Sequence, residues 1–566
     1  MTKPWYRSKR FRIGGVVLLL VLVVAVALPL LVPADWFRPL LVQFIESCTG
    51  RRVQIDVLKL HLLPTVHLRV VNLRVKNPEG FVAGDMMIVK SVDLGVAPLA
   101  LISRKMVVTY VAVNGVRMNL LRDLAGKTNY DLASIGCGGT SFLSLGRIGA
   151  VTIRNVEVAF STYDQRHRQV TPLFTLSGLN AKVPDVRPPV QDWAKSMELT
   201  SDLRGVEFST PALTKPIQIQ KGEFTITGGT GRGTIAAALE DTRADGTVTI
   251  ARLDPLSVTF TVTVPQLNLD RLGRLIVRGS GEEPDVQTAP PQRRLLARGD
   301  VQVGKILVAP PLAADGMNGR LSVYTNTVQL DSYTLSFYGG TVLGSAALDY
   351  AASGLPAVAT AKARGVDLTQ IMRIAAPQAR KITGTLETDV HIATTLRRDP
   401  KATLTGAGTF AVRNGTIEGL DLKSTLAKMA RVLQPDVPGG VTRFSYFGGD
   451  LRVAQQRVHS VALRLHAEGL EGTAGGSFGF DKTLDYAGTG VLKALTSTTS
   501  PSGGAPGSVG RIIGGVLRGT AVATGYRVPF FVRGTFDDPQ FSQSRTPQPV
   551  RDQDPQQPNL PVLPNR

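Results

Sequence analysis

The sequence predicts a mainly β protein: an N-terminal transmembrane helix, then a long, curved, repetitive antiparallel sheet, groove-like or sandwich-like, with a few short helices. Three observations support this fold class. An uncharged run near the N-terminus is long enough to cross a membrane, and apolar and polar residues alternate through most of the remaining chain. The 566 residues also include 58 Gly and 35 Pro, which supply turns between many short strands.

The transmembrane helix is predicted over residues 13–32, IGGVVLLLVLVVAVALPLLV. This run matches the roughly 20 residues that a helix needs to cross about 30 Å of hydrocarbon. The basic flank at residues 1–12 would stay in the cytoplasm, which places the rest of the chain on the far side. A cleaved signal peptide is the alternative, although its apolar part is usually shorter. The residues expected to anchor the helix in the bilayer are Val16, Leu20, Val24 and Leu28.

The first stretch after the predicted helix, residues 51–81, alternates apolar and polar residues but changes phase twice. Val57 is followed directly by Leu58, and Val70 by Val71. Each slip would move the apolar side chains to the other face of a regular strand. We therefore expect a β-bulge or a break at each slip, and bulges bend a sheet. One face of the sheet is predicted to be apolar and the other to be exposed to water.

The same alternation recurs further along the chain. Residues 256–264, LSVTFTVTV, and residues 333–349, YTLSFYGGTVLGSAALD, both read as strands. Asn-Gly pairs lie between alternating segments at residues 111–120 and 410–420, and each pair predicts a hairpin turn.

Weak internal repetition suggests a repeated unit and two β-rich regions. Residues 267–275, 366–374 and 420–429 each close a strand region with a short, apolar, helix-like piece, and the clearest helical periodicity spans residues 420–433. A charged segment rich in Pro and Gly predicts a linker between the two regions. The predicted organisation is a cytoplasmic flank (1–12), a membrane anchor (13–32), an N-terminal β-rich region (33–276), a linker (277–300), a C-terminal β-rich region (301–542) and a disordered tail (543–566).

Composition narrows the function classes. Lys and Arg number 64 against 44 acidic residues, a formal net charge of +20, which favours nucleic acid or anionic lipid as a partner. Beyond a membrane anchor, nucleic acid is not an expected target, so anionic lipid remains. Cys48 and Cys137 are the only cysteines, and whether they pair is left open. The six histidines show no metal-binding spacing, and no Gly-x-Ser-x-Gly motif is present. We expect no enzyme activity, no catalytic or metal site and no cofactor.

Several of these blocks resemble the AsmA family of envelope proteins of Gram-negative bacteria. A Gly-Arg-x-Val-x-Ile segment begins at Gly50, an Asn-Pro-x-Gly-Phe turn comes next at residues 77–81, and an Asn-Gly-x-x-x-x-Leu segment spans residues 114–120, in the order that the family shows. Residues 333–349, 410–429 and 528–541 resemble its C-terminal half. Tyr130 departs from the family, which often has Trp there, and residues 150–290 match only by pattern.

The resemblance implies an inner-membrane-anchored periplasmic protein of outer-membrane biogenesis. The wider clan builds long curved sheets whose apolar face carries phospholipid acyl chains, so the expected partners are the inner membrane, phospholipid or another anionic lipid, and outer-membrane assembly proteins. The alternative is a scaffolding protein with a packed β core, which would assist outer-membrane protein assembly without carrying lipid. The candidate groove residues are Val53, Ile55, Leu60, Leu68, Leu73, Val258, Phe260, Val262, Leu335 and Phe337.

Overall fold

A computed structural model describes residues 34–61, 67–96, 106–130, 143–144, 148–186, 198–253, 256–277, 293–309, 311–352, 354–375, 382–429, 440–493, 525–536, 538–544 and 548–550. The predicted anchor, with Val16, Leu20, Val24 and Leu28, lies outside these residues, as do Cys137 and most of the predicted linker. None of the helices in the described ranges is both long and apolar enough to cross a membrane.

The described residues are mainly strands with a few short helices, so the predicted mainly β class is confirmed. A 3-10 turn at Ala34–Phe37 precedes the first helix. The α-helices are α1 (Arg38–Thr49), α2 (Leu269–Leu275), α3 (Leu368–Ala375), α4 (Pro400–Thr403) and α5 (Leu422–Met429). The first thirteen strands are β1 (Val53–His61), β2 (His67–Lys76), β3 (Asp85–Val96), β4 (Met106–Asp123), β5 (Leu143–Ser144), β6 (Ile148–Asp164), β7 (Gln169–Val186), β8 (Leu199–Asp202), β9 (Glu207–Ser209), β10 (Ile217–Thr227), β11 (Thr230–Leu239), β12 (Thr242–Leu253) and β13 (Leu256–Asn268). The others are β14 (Leu295–Ala309), β15 (Leu312–Tyr324), β16 (Thr327–Phe337), β17 (Gly340–Asp349), β18 (Pro356–Asp367), β19 (Thr385–Thr395), β20 (Thr405–Glu418), β21 (Val441–Ala454), β22 (Arg457–Ala467), β23 (Leu470–Gly479), β24 (Thr483–Lys493), β25 (Gly525–Thr535), β26 (Pro539–Gln543) and β27 (Gln548–Val550).

The chain divides into two compact units. The first consists of Met1–Val264, Val286–Gly299 and Val323–Thr325, and the second of Pro265–Asp285, Asp300–Ser322 and Asn326–Arg566. In the second unit, each strand from β16 to β25 pairs antiparallel with the next strand in the chain. β27 pairs antiparallel with β25, beside β26.

The first unit corrects the prediction of a purely antiparallel sheet. Strands β1 to β4 pair antiparallel, but β4 and β6 run parallel from Val111 opposite Val151 to Asp123 opposite Tyr163. Parallel neighbours need a connection of about a dozen residues or more, and residues 124–147 supply that length. From β6 onward the pairing is antiparallel again through β7, β8 and β9 to β10, and then through β11 to β13.

Both predicted phase slips are present, and they lie opposite each other. Val57 is exposed whereas the next residue, Leu58, is buried. On β2, Val70 is buried, Val71 is only half-buried, and Asn72 has a positive φ of 54°. Val57 pairs with Val71, and Leu58 with Val70. Because both strands slip at the same level, the apolar residues before and after the slip lie on one face of the sheet.

The two Asn-Gly pairs are not hairpin turns, so that prediction was wrong. β4 runs without interruption through Asn114 and Gly115, and β20 through Asn414 and Gly415. Gly115 has φ of 71° and Asn414 has φ of 50°. One opposed pair is left out at each site, Lys90 with Gly115 and Ser445 with Asn414, while the register before and after it is unchanged. The left-handed backbone that Asn and Gly adopt easily therefore forms a kink inside one strand instead of a turn between two.

The predicted strand-to-helix pieces are confirmed in all three places. β13 is followed directly by α2 and β18 by α3, and α5 begins four residues after β20 ends. The side chain of Asn268 caps α2 by accepting a hydrogen bond from the backbone N–H of Arg271, as an N-cap residue does. Residues 430–433, the last part of the predicted helical periodicity, lie outside the described residues.

Helix α1 was not predicted, and it builds the core of the first unit. Phe37 and Leu41 are buried against β1 to β4, in a cluster with Val53, Ile55 and Leu68. Glu46 joins the helix to the sheet by accepting a hydrogen bond of 2.8 Å from the backbone N–H of Val53. The helix therefore covers the apolar face at the start of this sheet.

Candidate functional site

The second unit contains an apolar hollow of about 650 Å³ on one face of its sheet. Eight consecutive strands, β19 to β26, contribute to its lining, so the sheet curves around it. We define the apolar hollow by its lining residues: Ile382, Leu386, Thr388, Phe410, Ile417, Leu420, Leu422, Phe447, Leu451, Val453, Val458, Ser460, Leu463, Arg464, Leu465, Gly472, Thr473, Ala474, Phe478, Leu484, Tyr486, Phe530, Val532, Phe536, Pro539 and Phe541. Its volume is within the range of about 300–1,000 Å³ that is usual for ligand pockets.

Strand register explains why these apolar side chains meet. Residues directly opposite each other on paired strands share a face of the sheet. One row crosses four strands, from Val453 to Val458, then Phe478 and Leu484. Alternation within each strand repeats such rows two residues away, which makes the face continuous.

Glycines make room for the aromatic rings of this face. A Cβ atom on Gly488 would lie 2.7 Å from Cζ of Phe530, so the ring occupies the space above the glycine. Phe530 and Gly488 are also register partners on β25 and β24. This face therefore pairs a large aromatic ring with a glycine. Two large side chains at these positions would fill the space, whereas the glycine leaves a depression.

Two polar groups of the apolar hollow, Ser460 and Tyr486, are hydrogen-bonded. Ser460 is buried and donates a hydrogen bond of 2.8 Å to the carbonyl oxygen of Asp450. A hydrogen bond also joins Tyr486 to Ser460, and burial raises the pKa of the Tyr486 hydroxyl, so the hydroxyl stays neutral. Because these two groups already have partners, covering them with apolar matter carries little desolvation cost.

Helix α5 covers one end of this face. Leu426 and Ala427 are buried against Leu470, Leu492 and Val528. Among the residues that the structure describes, no helix or second sheet covers the remainder, and Phe478 is 37% exposed and Phe536 39% exposed. The face is therefore partly packed and partly open.

The opposite face of the same sheet is polar. Cross-strand ion pairs lie on it. Each pair stabilises the folded state by about 0–1 kcal/mol at such exposed positions, so the pairs matter more for the hydration of this face than for stability. The pairs are Lys362–Asp389 at 3.0 Å, Arg413–Glu387 at 3.3 Å, Lys493–Glu471 at 2.6 Å and Arg533–Asp485 at 3.5 Å.

The comparisons with known proteins identify the N-terminal part. Residues 7–134 match the model of the AsmA family. The N-terminal region of this chain is an AsmA-family region. The match confirms the resemblance found in the sequence motifs and spans less than a quarter of the chain. Searches of curated proteins and of solved structures found no match.

The structure shows what the AsmA-region motifs do. Asn129 is fully buried, and its side-chain amide donates to Oδ1 of Asn77 at 2.7 Å and to the carbonyl oxygen of Asn119 at 2.8 Å. Its Oδ1 accepts from the backbone N–H of Leu121 at 2.7 Å. Phe81, from the Asn-Pro-x-Gly-Phe turn, stacks on Tyr163 with ring centroids 5.8 Å apart. These contacts tie the turn to the end of β4.

The five N-terminal groove candidates meet in one place, but beneath α1. Val53, Ile55, Leu68 and Leu73 are buried in the core that α1 covers, and Leu60 is half-buried against it. The register pairs are Ile55 with Leu73 and Leu60 with Leu68. Because the helix fills this face, these residues already have packing partners within the protein.

The other groove candidates lie on half-open faces in different units. In the first unit Val258, Phe260 and Val262 are half-buried and pair with Ile250, Val248 and Gly246. In the second unit Leu335 and Phe337 are half-buried on β16.

The row that starts at Leu335 reaches the apolar hollow. Leu335 pairs with Val342, Val342 with Ala363, and Ala363 with Thr388, which lines the hollow. None of the ten groove candidates lines the hollow itself, so the sequence analysis missed its lining residues, including Phe447, Leu451 and Leu463. Apolar residues at alternating positions of each strand were a signal for these residues in the sequence. The curvature that brings eight strands around one space has no such signal.

The described residues contain no candidate metal site. Within those ranges, no group of three or more His, Cys, Asp and Glu side chains is arranged to hold a metal ion. The expectation that the protein is not an enzyme stays a prediction.

Proposed function

We propose that this is an inner-membrane-anchored periplasmic protein of outer-membrane biogenesis that holds or passes phospholipid along its apolar sheet face. The observation that carries the proposal is the apolar hollow of about 650 Å³, which the described residues cover only at the end where α5 lies. An apolar sheet face must be covered by helices, another sheet, closure or a ligand.

Acyl chains suit this surface physically. Burying a methylene group stabilises a complex by about 0.8 kcal/mol, so even part of one chain would bind favourably. Ser460 and Tyr486 in the lining are hydrogen-bonded, and the ion-paired opposite face keeps the outer side of the sheet hydrated. Phospholipid headgroups would remain in water at the rim.

The location in the cell is inferred from two further supports. The AsmA-family region begins at residue 7, and the uncharged run at residues 13–32 has the length of a transmembrane helix. The basic residues before this run favour a cytoplasmic N-terminus, which leaves the β-rich units in the periplasm.

A scaffolding protein with a packed core is the second candidate. It is favoured by α1 and α5, which each cover part of an apolar face with protein side chains. Lipid occupancy separates the two functions, because a scaffold that binds partner proteins needs none.

Photo-crosslinking in cells tests the proposal without detergent. A photoreactive benzoylphenylalanine replaces Leu451, which lines the apolar hollow, in cells grown with ³²P-phosphate, and irradiation should attach labelled phospholipid to the full chain. The matched control carries it at Val461, which is 67% exposed and does not line the hollow. Equal labelling at the two positions, or none at Leu451, would refute a lipid-holding hollow.

A further inference from the structure

A second cleft, of about 760 Å³, lies in the first unit at the ends of β1 to β4. We call it the basic cleft, and its lining consists of residues 50–52, 76–79, 81–84 and 127–128. It is built by the AsmA-region motifs, since the Asn-Pro-x-Gly-Phe turn forms one wall and the loop after β4 another.

Basic side chains outnumber acidic ones in this cleft. Arg51, Arg52, Lys76 and Lys127 line it, against Glu79. Lys76 is paired with Asp85, Nζ to Oδ1 at 2.7 Å, but Arg52 and Lys127 are exposed and form no ion pair within the described part of the chain. The cleft therefore presents an excess of positive charge to an anion.

The backbone that carries these groups is firmly held. Arg51 donates from Nη2 to the carbonyl oxygen of Asn129 at 3.3 Å. The backbone N–H of Lys127 donates to Oδ1 of Asp123 at 2.8 Å, which fixes the turn after β4. Asn77 is held at both ends of its amide, by Asn129 and by the carbonyl oxygen of Val82. The basic groups thus project from a pre-organised loop pair, which lowers the ordering cost of binding.

A row of aromatic rings begins beside the basic cleft. Tyr130 lies two positions after the cleft residue Thr128, and its ring centroid lies 6.2 Å from that of Phe160. The row continues from Phe160 to Phe174 at 4.6 Å and on to Phe208 at 5.4 Å. These three phenylalanines are half-buried, and Phe160 is the register partner of the buried Leu120 on β4.

We propose that the basic cleft binds a phosphate group, that of a phospholipid whose acyl chains lie along the row Tyr130, Phe160, Phe174 and Phe208. Charged hydrogen bonds from Arg52 and Lys127 would hold the phosphate oxygens. This inference rests on the proposed function and deepens it, because it gives the lipid class and a headgroup site. The C-terminus of α1 also ends at the cleft, and its partial negative charge gives the basic residues a second, structural use.

Binding to the full chain in detergent tests the proposal. Three probes are titrated calorimetrically: short-chain phosphatidylglycerol, diacylglycerol with the same chains, and inorganic phosphate. The double variant Arg52→Gln, Lys127→Gln should bind phosphatidylglycerol about tenfold more weakly and diacylglycerol unchanged. The control is Arg154→Gln, Lys182→Gln, two exposed basic residues of the same unit outside the cleft, and it should match the parent.

Each outcome decides. Loss confined to phosphatidylglycerol supports a lipid headgroup, whereas inorganic phosphate that binds as tightly as the lipid assigns the cleft to free phosphate. Unchanged phosphatidylglycerol binding in the double variant, with a lowered melting temperature, would mean that Arg52 and Lys127 only neutralise the end of α1 and would overturn the proposal. If Leu451 crosslinks to lipid while the cleft variant binds normally, the proposed function stands without this site.

Discussion

The side-chain amide of Asn129 donates a hydrogen bond to Oδ1 of Asn77 at 2.7 Å, which joins the Asn-Pro-x-Gly-Phe turn to the segment after β4, 52 residues away in the sequence. Asn129 is fully buried and also bonds to the backbone of Asn119 and Leu121. It therefore closes the end of β4 and shapes one wall of the basic cleft.

Replacing Asn129 tests this role. Asn129→Ala leaves a buried backbone N–H and a buried carbonyl without their partner, so we expect a loss of about 1–3 kcal/mol in the free energy of unfolding. Denaturant unfolding measures it. Asn318→Ala is the control, because Asn318 is exposed and bonds only to the nearby carbonyl of Gly316. Equal effects of the two changes would contradict the buried network.

Gly115 provides a test of the left-handed kink in β4. It has φ of 71°, and a Cβ there would lie 2.6 Å from Cδ of Lys90. Gly115→Ala should therefore destabilise the first unit by about 1–2 kcal/mol. Gly273→Ala should have the opposite sign, a gain of about 0.5–1 kcal/mol, because Gly273 lies inside α2 with open space around it. Melting temperatures that shift in the same direction would count against this account of Gly115.

The pH dependence of stability should include a contribution from His61. Burial, and then the charges of His67 and Arg69, lower the pKa of His61, and the stacked rings of His61 and His67 lie 4.7 Å apart. In the unfolded chain the group titrates near 6.5, so on acidification the unfolded state takes up the proton first. Stability should fall as the pH drops through about 6.5 toward the lower folded pKa.

Removing the imidazole is the direct check. His61→Gln should flatten the fall in melting temperature between about pH 7 and pH 5, with little change above pH 7.5, where both states are neutral. A slope identical to that of the parent would show that His61 does not contribute.

Much of the fold is readable from the sequence because alternation and phase are local properties. The slips at Val57 and Val70 correctly indicated irregularities within β1 and β2, but the expected β-bulges are absent, because the register between the two strands does not shift there. The three strand-to-helix pieces were each found. Asn114 and Gly115 misled because the left-handed conformation they favour serves a hairpin turn and a kink within a strand equally well. Pairing with other strands, which the local sequence does not reveal, decides which of the two conformations forms.

The rest of the fold depends on contacts between distant residues. Phe37, just before helix α1, and Leu41 and Ile45 within it are at helical spacing, which is a signal in the sequence, but the helix is of modest length and comes after a longer apolar run. The parallel pairing of β4 with β6 and the curvature around the apolar hollow have no local signature. Leu335 could therefore be assigned to an apolar face, but its connection through Thr388 to the hollow could not.

The central claim is that the apolar hollow holds lipid, and a count of phospholipid bound per chain by native mass spectrometry tests it most directly. Phe478→Asp places a charge in the hollow at a position that is 37% exposed, where the fold should tolerate it. Val461→Asp adds the same charge at a neighbouring position outside the hollow. The account predicts phospholipid on the parent and on Val461→Asp, and at least a tenfold reduction on Phe478→Asp. Equal occupancy in all three folded proteins, or no phospholipid on any of them, would contradict it.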